Sequence, residues 1–263
     1  MKKNKLFIAL AMLAVGCAPA KMAVEKNNWN KIEEFSVKGR QGLLSNQKLS
    51  VGEYKTASVK RSWTKGSSAF AGWTTGRPGY EDYSRVIGLE FSKKKQTVRF
   101  ELTDNAAHES SAFCVTKVKS KDFVLGNNPN SLFNISLDIL GVGDASENLY
   151  WIKLYMKNEV HPWEMVLDNE AAQRNSKKYM GVISQSNDRY YTLHPVYSLE
   201  KKDGKTANMP FGSIGYEIRG KEGKPLAAVS LIDKGVVYFN DINADEKFLM
   251  ANICTAILLQ EEI

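Results

Sequence analysis

Few stretches of this 263-residue chain bring together side chains that could do chemistry, and each has a plainer reading beside it. His108-Glu109-Ser110-Ser111 sets an imidazole, a carboxylate and a hydroxyl in succession, the three groups of acyl transfer. Catalysis needs such groups to converge in space, whereas neighbours on a strand point to opposite faces. The run therefore reads as polar residues at the start of a strand. Asp138 and Asp144 flank Gly141-Val142-Gly143; with Glu109 they are the carboxylates on which an envelope hydrolase with a β scaffold would draw, or which could hold calcium. The polar face of a strand and a turn explain the same two residues. The glycine pair lacks the third glycine and the following helix of a dinucleotide loop. The chain has no G-x-S-x-G elbow and no S-x-x-K in a helical context. His108, His161 and His194 lack metal-ligand spacing. No catalytic residue, metal or cofactor is expected, and the protein reads as non-enzymatic.

Basic and aromatic residues make the other candidate surface. Lys38-Gly39-Arg40-Gln41-Gly42 suits a tight turn that displays Arg40. Lys60-Arg61-Ser62-Trp63 alternates as on a strand, with Arg61 and Trp63 on one face. Residues 66–83 are rich in Gly and Ser, lack periodicity, and carry Trp73, Arg77 and Tyr80 among their aromatic and basic side chains. A connection of that length exceeds what joining two elements requires. Arg40, Lys60, Arg61, Trp63, Trp73, Arg77 and Tyr80 are therefore the candidate binding residues. Their chemistry would be stacking, cation–π contact and charge-assisted hydrogen bonding to a glycan, lipid or protein ligand. A solvated hairpin with one packed Trp, and aromatics that pin a loop to the fold, account for the same pattern.

The elements that must position these residues are mostly strands. In Gln96–Thr103, Val98, Phe100 and Leu102 alternate with Thr97, Arg99 and Glu101, so that one face is buried and one is wet. Similar strands are predicted at 54–63, 86–91, 111–119, 133–139, 150–156, 163–167, 179–184, 189–199, 214–219, 226–232 and 236–240. Lys153 and Lys157 fall on the wet side of theirs. Asp203-Gly204, Glu222-Gly223 and Lys234-Gly235 mark hairpin turns. About twelve short strands with such turns point to a sandwich or barrel.

One segment differs. Asn243-Ala244-Asp245-Glu246 opens a helix with a cap and an acidic first turn. The helix over 244–261 is apolar on every side and must be buried all round, yet it is too short to span a bilayer. A closed antiparallel barrel clasping this C-terminal helix is the predicted fold, mainly β and a single domain. Gly215-Tyr216-Glu217-Ile218, Gly223-Lys224-Pro225-Leu226-Ala227-Ala228-Val229, Gly235-Val236-Val237-Tyr238-Phe239 and the helix together resemble the ending of the tubby C-terminal, LURP-one and phospholipid scramblase group. That resemblance implies a helix-filled barrel and a group in which some members bind membrane lipids. It implies no catalytic residue.

Residues 1–16 carry Lys2, Lys3 and Lys5 and then an apolar run, the layout of a signal peptide. Ala14-Val15-Gly16-Cys17 resembles the lipobox of bacterial lipoproteins, with Ala14 where that family usually has Leu. The resemblance implies cleavage before Cys17, acylation of its thiol and a place in the bacterial cell envelope. Ala18, standing where Asp would retain an enteric lipoprotein, implies the outer membrane. Residues 17–30 then read as a lipidated tether and 31–263 as the folded domain. Without the three signal lysines, 33 basic side chains face 29 acidic ones, a net charge of +4 that argues against nucleic acid. For Cys114 and Cys254 an exported compartment permits a disulfide, and two buried free thiols are the other reading.

Overall fold

A computed structural model describes residues 20–41, 47–62, 97–118, 148–174, 181–201, 204–209 and 212–260. Their strands are β1 (Lys21–Met22), β2 (Glu33–Lys38), β3 (Ser50–Val51), β4 (Tyr54–Ser62), β5 (Thr97–Thr103), β6 (Glu109–Val118), β7 (Leu149–Met156), β8 (Trp163–Asp168), β9 (Gly181–Ser184), β10 (Tyr190–Val196), β11 (Ser198–Glu200), β12 (Thr206–Asn208), β13 (Gly215–Arg219), β14 (Pro225–Ser230) and β15 (Val236–Phe239). Two α-helices accompany them, α1 (Asn169–Arg174) and α2 (Ala244–Leu259), with one 3-10 turn at Lys26–Asn28. Twelve strands close into one antiparallel barrel, running β2 to β10 in sequence, then β13, β14, β15 and back to β2. The remaining three make a small sheet, β1-β11-β12, outside it.

The barrel closes because period-two alternation points a continuous apolar lining inward: Val98, Phe100 and Leu102, Ala112 and Cys114, Ile152 and Leu154, Met165 and Leu167. Helix α2 fills that lining, as the absence of any polar face on it predicts, and every residue from Phe248 to Leu259 is buried. Its Asn252 side chain and Ala256 carbonyl find partners inside, whereas the buried Thr255 hydroxyl has none among the described residues. Asn252 donates to Phe248 O at 2.9 Å and accepts from the Ser110 hydroxyl at 2.6 Å, while the Tyr150 hydroxyl donates to Ala256 O at 2.8 Å. Asn243 caps the helix, its side chain accepting the Glu246 N–H at 2.9 Å. No helix among the described residues is long and apolar enough to cross a membrane.

The structure corrects four expectations. Residues 21–30 are not a tether: β1 pairs with β11, and Met22 and Trp29 are buried with Val24 and Ile32 against Ala228 and Tyr238 on the outer barrel wall. Exposing those apolar side chains would forfeit about 1.5–3 kcal/mol for each large one, so the segment lies down. Lys153 is not wet. It is 8% exposed and pairs with Glu164, its cross-strand neighbour, at 3.1 Å, because the outer face around it is buried too, including Phe113, Val115, Trp151 and Val166. The strand foreseen at 189–199 is two, β10 and β11, which belong to different sheets. Residues 33–38 and 50–51, where no strand was predicted, supply β2 and β3, with Val37 and Val51 facing the core. Cys114 and Cys254 are both free and buried. The strands expected at 86–91 and 133–139 lie outside the described residues.

Ile257 is 1% exposed inside the barrel. Ile257→Asp should abolish soluble, cooperatively melting protein, since an unpaired buried charge costs as much as a typical domain's whole stability. Ile257→Val should stay folded and lose about 1 kcal/mol. Circular-dichroism melts of the two variants check both outcomes.

Candidate functional site

Three of the sequence-based candidates, Arg40, Lys60 and Arg61, fall at one mouth of the barrel. Gly39 takes φ +83°, and a Cβ there would sit 1.8 Å from Lys48 O, so the turn that presents Arg40 requires glycine. Arg40 is not displayed to solvent. Its guanidinium donates to Leu231 O at 2.7 Å and to Asp233 O at 3.2 Å, tying this turn to the one between β14 and β15. Arg61 follows the inward side of β4 and reaches the end of α2, donating to Leu259 O at 3.1 Å and to the Gln47 side-chain oxygen at 2.9 Å. The last carbonyls of a helix carry partial negative charge, so Arg61 completes the helix rather than offering itself to a ligand. Gln47 links the two arginines by donating to Arg40 O at 2.9 Å. Lys60 stands on the outer face and is exposed.

Trp63, Trp73, Arg77 and Tyr80, with Cys17, Asp138 and Asp144, lie outside the described residues. The strand ends beside them are informative. Ser62 pairs with Thr97 and Val118 with Leu149, so residues 63–96 and 119–148 each leave from and return to the mouth that Arg61 closes.

The opposite mouth holds an arrangement that sequence reasoning missed. The turn between β5 and β6 is shaped by Asp104, whose side chain accepts the N–H of Ala106 at 2.8 Å and of His108 at 3.1 Å. The other Asp104 oxygen lies 2.5 Å from His108 Nδ1, and His108 Nε2 lies 2.8 Å from Asp245 on the first turn of α2. The ring stacks on Phe248 at 5.1 Å between centroids. Hydrogen bonds first to Asp104 and then to Asp245 raise the His108 pKa above its ordinary 6.5. Burial works against ionisation of Asp104, but the bonds from His108 and from the backbone of Ala106 and His108 outweigh it and lower its pKa. When protonated, the imidazole clasps the β5–β6 turn to the helix through both ring nitrogens. Only the Asp104–His108 half, an Asx turn with His at i+4, leaves a trace in the sequence; Asp245 is 137 positions away.

This clasp does not look like general-base chemistry. Both ring nitrogens face carboxylates, leaving neither to take a proton from a nucleophile. Glu109 instead pairs outward with Lys157 at 2.7 Å, and Ser110 turns inward to Asn252, as the strand alternation requires. Burial pushes the Cys114 thiol up to about 12 and the Cys254 thiol higher, which makes both poor nucleophiles. Among the described residues no cluster of three or more His, Cys, Asp or Glu could hold a metal ion. A surface groove of about 380 Å³ runs between Ala23–Asn28 and the β11–β12 hairpin, with the Lys26–Glu200 ion pair at 3.1 Å among its walls. Comparison with protein-family models, with curated proteins and with solved structures gives no match.

The clasp has a defined pH window. The raised His108 pKa makes its contribution complete below the ordinary histidine value and lost as pH rises through the raised one. The lowered Asp104 pKa makes its share present above the ordinary aspartate value and lost as pH falls through the lowered one. Urea unfolding across pH should therefore show a plateau bounded on both sides. His108→Gln should cost about 1–3 kcal/mol on the plateau and remove the alkaline fall. Arg61→Met should lower stability by about 1–3 kcal/mol at all these pH values, since a guanidinium keeps its charge and its bonds to the Leu259 carbonyl and the Gln47 amide do not titrate.

Proposed function

We propose that this protein is a lipid-anchored, non-enzymatic binding protein of the bacterial envelope, in which the helix-filled barrel is a rigid post and the mouth closed by Arg61 is the working end. The observation that carries this reading is where the N-terminal segment docks. Met22 packs against the start of β13: a Cβ on Gly215 would lie 2.4 Å from the Met22 sulfur. Gly215 pairs with Val196 and Ser230, at the same end of the barrel as Ser62 and Thr97. Cys17 precedes Lys21 by four residues, so an acylated Cys17 would hold that mouth within roughly 14 Å of the bilayer.

With Phe248 to Leu259 filling the interior, binding belongs to the outside of the barrel. Segments 63–96 and 119–148 start and finish at the membrane-side mouth, and Trp63, Trp73, Arg77 and Tyr80 are the residues proposed to meet a glycan, lipid or envelope partner there. Membership of the tubby C-terminal, LURP-one and scramblase group is part of the same proposal. Strands β13, β14 and β15 followed by a buried helix are the ending on which that resemblance rests.

Cys17→Ser tests the anchor. Acyl chains contribute about 0.8 kcal/mol per buried CH₂, so the variant should lose fatty-acid label and leave the membrane fraction at high salt. Labelling and fractionation like the wild type would end this reading.

A further inference from the structure

Four lysines crowd the mouth beside the docked N-terminal segment. Lys38 ends β2 on the outer face, because Val37 before it is buried in the core. Lys234 lies in the turn between β14 and β15, which meets β2 where Val37 donates to Gly235 O at 3.1 Å. Lys48 precedes β3, its carbonyl against Gly39. Lys60 sits one residue before Arg61, whose guanidinium bonds Gln47, the neighbour of Lys48. All four are exposed, and none forms an ion pair among the described residues.

Most of the other described lysines are paired, although Lys55, Lys201 and Lys224 are exposed without an ion pair among the described residues as well. Lys21, Lys26, Lys31, Lys153, Lys157, Lys221 and Lys247 each face a carboxylate within 3.5 Å. In the three turns nearest these lysines, 39–41, 47–48 and 231–235, the one acidic side chain among the described residues is Asp233. The hydrogen bonds of Arg40, Gln47 and Arg61 hold these turns together, so the charge is displayed on a fixed rim rather than on loose chain.

We propose that Lys38, Lys48, Lys60 and Lys234 form a second membrane contact, binding the phosphate headgroups of an anionic bilayer. This deepens the reading of the protein as lipid-anchored. An anchor at Cys17 sets the distance of the barrel from the membrane but leaves it free to swing, and a basic rim on the same mouth fixes which end lies against the headgroups. A lysine near an anionic surface strengthens binding by about fivefold, and the effect is screened within a Debye length.

The test uses the chain from residue 17 with Cys17→Ser, which contains every described residue and has no acyl chain, and so does not depend on the anchor. Sedimentation with phosphatidylglycerol-containing vesicles should show binding that pure phosphatidylcholine vesicles do not support and that high salt abolishes. Lys38→Gln, Lys48→Gln, Lys60→Gln and Lys234→Gln combined should remove it. The pairs Lys38/Lys234 and Lys48/Lys60, changed separately, should each lower the binding constant by roughly 25-fold. A control changes Lys157, Lys221 and Lys224 to Gln; these are exposed lysines at the opposite mouth and should leave binding close to the parent's. The proposal is overturned if the parent binds the two vesicles alike or neither. It is equally overturned if the rim variants bind like the parent, or if the control weakens binding as much as they do. Failure of the Cys17→Ser fractionation would leave each of these outcomes readable.

Discussion

A sixteen-residue helix with apolar side chains on every side can be stable in water only when something surrounds it. In this protein the surround is a wall of twelve strands, and most of what is specific about the wall follows from what it encloses. The inward lining is built from Val, Ile, Leu, Phe and Met with few polar interruptions, and those interruptions are matched to the helix: Ser110 to Asn252, Tyr150 to the Ala256 carbonyl. Each end of the helix then has its own fastening. The first turn is held by Asn243 and by His108 between two aspartates, the last by Arg61 and by Gln260, which donates to Asn169 at 2.9 Å. The two fastenings differ in kind. One depends on charge states that change with pH, the other on an arginine that keeps its charge.

The wall is also covered on parts of its outside. Around β13 to β15 the cover is the N-terminal segment, with Trp29 donating its indole N–H to the buried Glu217 at 3.2 Å while Arg219 takes the other carboxylate oxygen. Around β6 to β8 the outward side chains Phe113, Val115, Trp151 and Val166 are buried as thoroughly as the inward ones. A strand buried on both faces loses the alternation that exposes its orientation. The Lys153–Glu164 pair is then the internal compromise, since a buried charge without its partner would be far more costly than the pair.

These features explain what could be read from residues alone. Strands β5, β7 and β8 and helix α2 were legible because local spacing, period two or no polar face at all, decides their form. The barrel followed from the need to enclose 244–259. The docking of residues 21–32 was not legible: Met22, Val24, Trp29 and Ile32 have no regular spacing, and their partners lie some two hundred residues on. Arg40 and Arg61 were legible as unusual but not as structural, because a guanidinium aimed at a backbone carbonyl leaves no mark in composition. The His108 clasp was missed for the same reason. Its neighbours in sequence, Glu109 and Ser110, point away, and its partner Asp245 arrives from the other end of the chain.

The order of elements along the chain has a consequence for how the protein comes to exist. Every barrel strand precedes the helix that fills the barrel. A chain made or moved from its N-terminus presents twelve strands whose inward faces have nothing to pack on until residues 244–259 are free. The first and last barrel strands, β2 and β15, also meet only at the end. Contacts of such long sequence separation close late and slowly, so closure of the barrel and filling of its interior both wait for the C-terminal end of the chain.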